Sequence, residues 1–158
     1  MIKIRIKGHE ESFHSNGDDS LLRAGLRAGF GLPYECSTGS CGICKFEFLD
    51  GEVADLWPDA PGLTERDKRK GRKLACQNHP LSDCTIKMRI DPAAVPRIIP
   101  RRQVVRLVES RKLTHDMQEF HFAGEAAAEF LPGQYALLDL PGVNGLRAYS
   151  MANLANES

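Results

Sequence analysis

Four thiols constrain this chain more than anything else in it. Three fall in one short loop, Cys36-Ser37-Thr38-Gly39-Ser40-Cys41-Gly42-Ile43-Cys44, and a fourth, Cys76, follows beyond a predicted strand and helix. Thiols at that density among glycines and serines are placed as metal ligands, because small residues let the backbone close around whatever the sulfurs hold. A disulfide framework is the competing reading, but the chain has 5 cysteines, an odd number, and Met1-Ile2-Lys3-Ile4-Arg5 alternates where a secretory signal would run apolar. Thiols kept reduced suit a metal site, so a cytoplasmic location is expected.

The spacing narrows the metal. Cys36, Cys41 and Cys44 follow the C-x4-C-x2-C pattern of plant-type [2Fe-2S] ferredoxins, with Cys76 as the distant fourth ligand. Each iron of such a cluster takes two protein thiolates. Cys36 and Cys41 are far enough apart to reach around it, and Cys44 and Cys76 can close the second iron. Gly39 and Gly42 can adopt positive φ, while amides and the hydroxyls of Ser37, Thr38 and Ser40 can donate to sulfur and so tune a potential of roughly −400 mV. A structural zinc held by four thiolates, or by three with His79, is the alternative. Zinc sites usually pair two C-x2-C knuckles, however, and Cys76 lacks such a neighbour.

Composition bounds the rest. The chain has 158 residues, room for one domain or two small ones, and its 42% apolar and 27% charged residues are ordinary for a globular protein. No apolar run approaches the length of a membrane span, and 21 basic against 21 acidic residues give no net attraction to nucleic acid. Neither a membrane nor a nucleic-acid partner is expected.

Ile2, Ile4 and Ile6 predict a strand with one buried face, and Glu11 to His14 its hairpin partner. Asp18, Asp19 and Ser20 can cap a helix whose apolar face is Leu21, Leu22 and Leu26, stopped at Gly29 and Gly31. A strand follows from Cys44 to Leu49, and Asp50-Gly51 predicts a turn back through Glu52 and Val53. Thr64 and Asp67 form a capping box for a short helix through Lys70, and Thr85 to Ile90 predicts a closing strand. His9 and His14 read as solvated, and Cys84 as a small residue at a strand edge. Asp50, Glu52, Asp55 and Asp59 gather apart from the basic run Arg66, Lys68, Arg69, Lys70, Arg72 and Lys73, which predicts two solvated faces or a partner-steering one.

These residues resemble the plant-type ferredoxin, or β-grasp, family over residues 1–90, through the loop Cys36 to Cys44 and the tetrapeptide Leu74-Ala75-Cys76-Gln77. The resemblance implies an α+β fold with Cys36, Cys41, Cys44 and Cys76 as cluster ligands. Residues 91–102, with Pro92, Pro96 and Pro100, read as a semi-rigid linker. Beyond it, Gln103 to Glu109, Met117 to Phe122 and Gln134 to Leu140 predict short strands of an antiparallel barrel or sandwich.

One tetrapeptide there carries chemistry. Arg147-Ala148-Tyr149-Ser150, preceded by Pro132-Gly133-Gln134-Tyr135, resembles the flavin motif of the ferredoxin reductase family. The resemblance implies part of an FAD-binding antiparallel β-barrel over residues 103–158, with Arg147 on pyrophosphate, Tyr149 against the isoalloxazine and Ser150 near flavin N5. Ferredoxin first and flavin barrel second resembles the reductase components of bacterial multicomponent oxygenases, such as toluene, phenol, alkene and methane monooxygenases. In that family NADH reduces FAD, and electrons pass singly through the cluster to the oxygenase or hydroxylase component. No nucleotide-binding glycine loop follows residue 100, so the chain is expected to be the N-terminal part of such a reductase, with NADH bound elsewhere. Two other classes are open: a stand-alone [2Fe-2S] carrier serving another redox protein, and a zinc-stabilised binding module.

Overall fold

A computed structural model of the chain describes residues 1–126 and 128–154, so the last four residues of the expected flavin domain lie outside the described residues. The isoleucine alternation produces β1 (Ile2–Ile6), with Ile4 and Ile6 buried and Arg5 exposed. The return strand β2 (Ser12–Ser15) starts one residue later than expected and pairs antiparallel with β1, Ile4 facing Phe13. Helix α1 (Leu21–Arg27) begins where Ser20 Oγ accepts the Arg23 amide at 3.2 Å. Its apolar stripe, Leu21, Leu22 and Leu26, is buried. The buried Asp19 just before it is paired with both Arg23 and Arg27. A charge taken out of water needs such partners.

Strands β3 (Lys45–Asp50), β4 (Val53–Asp55), β5 (Arg72–Leu74), β6 (Asn78–Pro80) and β7 (Cys84–Lys87) follow, with helix α2 (Glu65–Arg69) between β4 and β5. The main sheet runs β2-β1-β7-β3-β5, in which β1 and β7 are parallel and the other neighbours antiparallel. Two expectations need correction. Asp50-Gly51 does not fold β4 back onto β3, because β7 and β5 already occupy the two edges of β3; β4 pairs with β6 instead. Cys84, expected as a small residue at a strand edge, does begin β7, but that strand is the central one: Cys84 lies opposite Ile4 and is 1% exposed, and burial pushes its thiol up to about 11.

Ile4, Leu21, Leu22, Leu74 and Ile86 are fully buried in one core with Phe13 and Phe46. Each such side chain contributes roughly 1.5–3 kcal/mol relative to exposure. The same core holds Cys44, Ala75 and Cys76, and α1 packs against the 3-10 turn Ala75–Gln77. Thus the sequence that fills the core also anchors one side of the thiol group.

The described residues form two compact units. One comprises Met1–Pro100 together with Tyr135–Ser150. It therefore contains the sheet just described and a ribbon of β10 (Tyr135–Leu138) and β11 (Arg147–Ser150). The proline-rich stretch through Pro100 belongs to it as well, with the Asp91 amide donating to the Gly31 carbonyl at 2.8 Å. The other unit comprises Arg101–Gln134 and the segment from Met151. Its strands β8 (Val105–Lys112) and β9 (Gln118–Gly124) form an antiparallel ribbon that leaves Leu107, Val108 and Phe120 exposed. The strands after residue 100 are the expected antiparallel part of a reductase-like fold, and no closed barrel is present among the described residues.

Candidate metal centre

The loop from Cys36 to Cys44 enters from Tyr34 and runs directly into β3, so Cys44 is buried at the root of a core strand. Cys76 arrives from the other side, in the 3-10 turn between β5 and β6. That turn is held from within, because the fully buried Asn78 donates its side-chain amide to the Leu74 carbonyl at 2.9 Å. The four cysteines form two thiol pairs: Cys36 with Cys41, and Cys44 with Cys76. The pairs feel each other electrostatically, Cys36 raising both Cys44 and Cys76. No three His, Cys, Asp or Glu side chains among the described residues close on a single point.

The electrostatics favour thiolate where the loop is tightest. Burial raises the Cys36 thiol, but the Thr38 and Cys41 amides donate to its sulfur at 3.5 and 3.4 Å, and the net effect lowers it to about 6. Thr38 adds its side chain to the same sulfur. Within the second pair the hydrogen bond from Cys76 lowers Cys44, while Cys76 itself is raised, so Cys44 gives up its proton first. Gln77 Nε2 lies 3.7 Å from the Cys76 sulfur as a further donor. The donor set, sulfurs in two pairs with N–H groups aimed at Cys36 and Cys76, fits the chemistry of a two-iron cluster. His79 stands apart on β6 opposite Ala54, with Arg23 and Asp18 as the charges acting on it.

Three features of the site were not legible in the motif. Gly62, in the irregular stretch after Trp57, donates its amide to the Gly39 carbonyl at 2.9 Å. A β-carbon on Gly42, which has φ +76°, would stand 2.5 Å from the Gly62 carbonyl, so the two backbones touch. Asp67 is more than a capping-box residue. The one buried residue of α2, it accepts Thr64 Oγ1 at 2.7 Å, Lys45 Nζ at 2.8 Å and Arg72 at 3.0 Å, and so ties the helix to the strand after Cys44 and the strand before Cys76. Lys45 first, then Thr64, hold its carboxyl well below the usual range. Finally, Tyr135 Oη lies 2.5 Å from the Glu35 carbonyl and 2.9 Å from Ser37 Oγ. The Ser37 hydroxyl, expected to face sulfur, is therefore turned to a phenol.

The charge segregation seen along the chain does not survive folding. Lys68 pairs with Asp59 at 3.1 Å and Lys73 with Asp55 at 3.5 Å, so part of the acidic group lies against part of the basic run. In the ribbon, Arg147 and Tyr149 share a face and Ser150 takes the other, opposite Tyr135. Tyr149 is half exposed, and the Arg147 guanidinium donates to the Asn144 and Leu146 carbonyls of its own turn at 3.2 and 3.3 Å. No described helix is long and apolar enough to cross a membrane.

Residues 4–81 match the 2Fe-2S iron-sulfur cluster binding domain family. The chain thus carries a ferredoxin-type [2Fe-2S] domain, the class that fold and thiol pairs define. Over nearly its whole length it is homologous to the ferredoxin reductase components of multicomponent oxygenases. It is 48% identical to the ferredoxin–NAD(P)(+) reductase CarAd of Metapseudomonas resinovorans, over 99% of this chain and 48% of that protein. It is 44% identical to the ferredoxin–NAD(+) reductase component of the alkene monooxygenase system of Xanthobacter autotrophicus, over 92% of this chain and 44% of that one. Among solved structures, a ferredoxin reductase in carbazole 1,9a-dioxygenase, in its FAD apo form, superposes with a TM-score of 0.91 at 44% identity, covering 96% of this chain and 50% of that one. The chain spans about half the length of the curated relatives it matches.

Proposed function

We propose that Cys36 and Cys41 hold one iron of the [2Fe-2S] cluster and Cys44 and Cys76 the other, and that the chain is the electron-delivering part of an NADH-dependent reductase serving an oxygenase component. The observation that carries this reading is the arrangement of four thiols as two pairs, with amide donors on Cys36. When bound, the cluster supplies a centre that takes up and releases one electron at a time. The protein's part is to hold it. Cys44 and Cys76 are anchored in the core, while Cys36 is half-buried and Cys41 exposed, which leaves one edge of the site open to a partner.

Arg147, Tyr149 and Ser150 are proposed as FAD contacts: a guanidinium for pyrophosphate, a ring for the isoalloxazine, a hydroxyl for the flavin edge. The open face of Tyr149 supports this, as do relatives named as ferredoxin reductases. Residues 1–90 are then the ferredoxin domain, 91–102 the linker and 103–158 the beginning of the flavin domain. A cytoplasmic location fits reduced thiols. A stand-alone carrier is the second reading, and flavin content separates the two.

The decisive test is metal and sulfide analysis of anaerobically purified protein, with low-temperature EPR after reduction. Two irons and two sulfides per chain with a rhombic signal support the cluster, and Cys41→Ala should abolish both. Zinc in place of iron, or normal colour in Cys41→Ala, would overturn the ligand assignment.

A further inference from the structure

Ser37 is the one non-glycine residue with positive φ, +54°, among the described residues, and it directly follows Cys36. A serine in the left-handed region persists when its surroundings over-determine it, and such outliers gather at functional sites. What holds Ser37 comes from far along the chain. Its side chain is buried, and its hydroxyl lies 2.9 Å from the Tyr135 phenol, which also meets the carbonyl of Glu35, on the other side of Cys36, at 2.5 Å.

The proton count settles the polarity of this bridge. A carbonyl can only accept, so the single phenolic proton goes to Glu35 and the Ser37 hydroxyl donates to the phenol oxygen. Both bonds grip the backbone that flanks Cys36. Held in this way, the turn presents the next amides, those of Thr38 and Cys41, to the Cys36 sulfur at 3.5 and 3.4 Å. Tyr135 is itself on β10, directly opposite Ser150 of β11, so the bridge ties the strand pair that carries the flavin motif to the thiol loop.

We propose that Tyr135 is a positioning residue for the iron-sulfur centre: through Glu35 and Ser37 it sets the turn that aims amide donors at Cys36, and it couples the β10–β11 ribbon to the cluster loop. The inference rests on the cluster reading above but assigns a residue which that reading leaves without a role. Hydrogen bonds to ligand sulfur stabilise the extra negative charge of the reduced state. Releasing the turn therefore makes reduction harder.

The test is Tyr135→Phe, which keeps the ring and removes one oxygen, beside Ser37→Ala, which removes the other partner and leaves Tyr135 in place. Both are made in the full chain with its cluster assembled. Visible circular dichroism, EPR g-values, the reduction potential from a dye titration, and iron release to a chelator are compared with wild type. Iron and sulfide should stay at the wild-type level in each variant. The spectra should shift, the potential should move to more negative values, and iron release should accelerate about tenfold, the lower end of what outer-shell partners of a metal group show on mutation. If Tyr135→Phe does not fold, Ser37→Ala decides alone. Wild-type spectra, potential and release rate in the variants overturn the proposal while the cluster reading stands. Failure of the wild-type chain to hold iron and sulfide removes the reading and the proposal together.

Discussion

The amide of Gly62 donates to the carbonyl of Gly39 at 2.9 Å, across a gap so narrow that a β-carbon on Gly62 would stand 2.6 Å from that same oxygen. The thiol loop is thereby pressed against backbone from a separate stretch. Gly62→Ala must push the loop outward, since backbone cannot yield as a side chain can. The expected outcome is lowered iron incorporation and a thermal midpoint several degrees below wild type, as roughly 1–3 kcal/mol of overpacking implies. Unchanged iron content with an unchanged melting curve would refute the close packing.

Asp67 of α2 gathers Lys45, Arg72 and Thr64. Asp67→Ala strips the capping box and leaves two cations without their counter-charge, so α2 loses its tie to Lys45 of β3 and Arg72 of β5. Lys45 and Arg72 are each about a third exposed and can turn to water, so chemical denaturation at neutral pH should register a loss of roughly 1–2 kcal/mol, mostly from the lost cap and the charge-assisted hydrogen bonds. A loss below about 0.5 kcal/mol, the scale of an ordinary surface change, would show that the carboxylate is dispensable.

Asn78 donates to Leu74 across the turn that carries Cys76, while its own Oδ1 is buried with no partner among the described residues. Asn78→Asp exchanges the donor for a carboxylate facing a carbonyl, a repulsion in a buried place. It should therefore be more damaging than Asn78→Ala, which costs roughly 1–2 kcal/mol. Iron-to-protein ratios in the two variants check the order, and a higher ratio in the aspartate variant contradicts it.

His79 supplies a pH dependence with a definite sign. Burial first, and the charge of Arg23 second, depress its pKa below the ordinary value of 6.5, with Asp18 opposing. The unfolded chain then binds this proton more readily than the folded one. Stability is complete above the unfolded value and declines as pH falls through it toward the folded value. Between about pH 7 and about pH 5.5 the thermal midpoint of wild type should fall more steeply than that of His79→Gln. Parallel curves for the two proteins would rule this out.

Local elements were legible because each is written in neighbouring residues. Ile2, Ile4 and Ile6 could only alternate, Ser20 capped Leu21, and Thr64 with Asp67 closed a capping box, since such interactions span no more than one helical turn. The spacing of Cys36, Cys41 and Cys44 likewise fits one loop wrapping two metals. Pairing across distance was not legible. The Asp50-Gly51 turn suggested a hairpin that β5 and β7 exclude, and Cys84 proved central because the last strand of the sheet inserts beside the first.

By itself, then, the order of residues determined the chemistry on offer: four sulfurs, small residues among them, an Arg-Ala-Tyr-Ser tetrapeptide and a core pattern to carry them. Folding decided which groups stand behind that chemistry. Gly62 against Gly39, Asp67 between Lys45 and Arg72, and Tyr135 beside Ser37 are juxtapositions of distant segments. Such contacts follow from sheet order and chain path, which the global balance of burial and backbone pairing selects and no short stretch encodes.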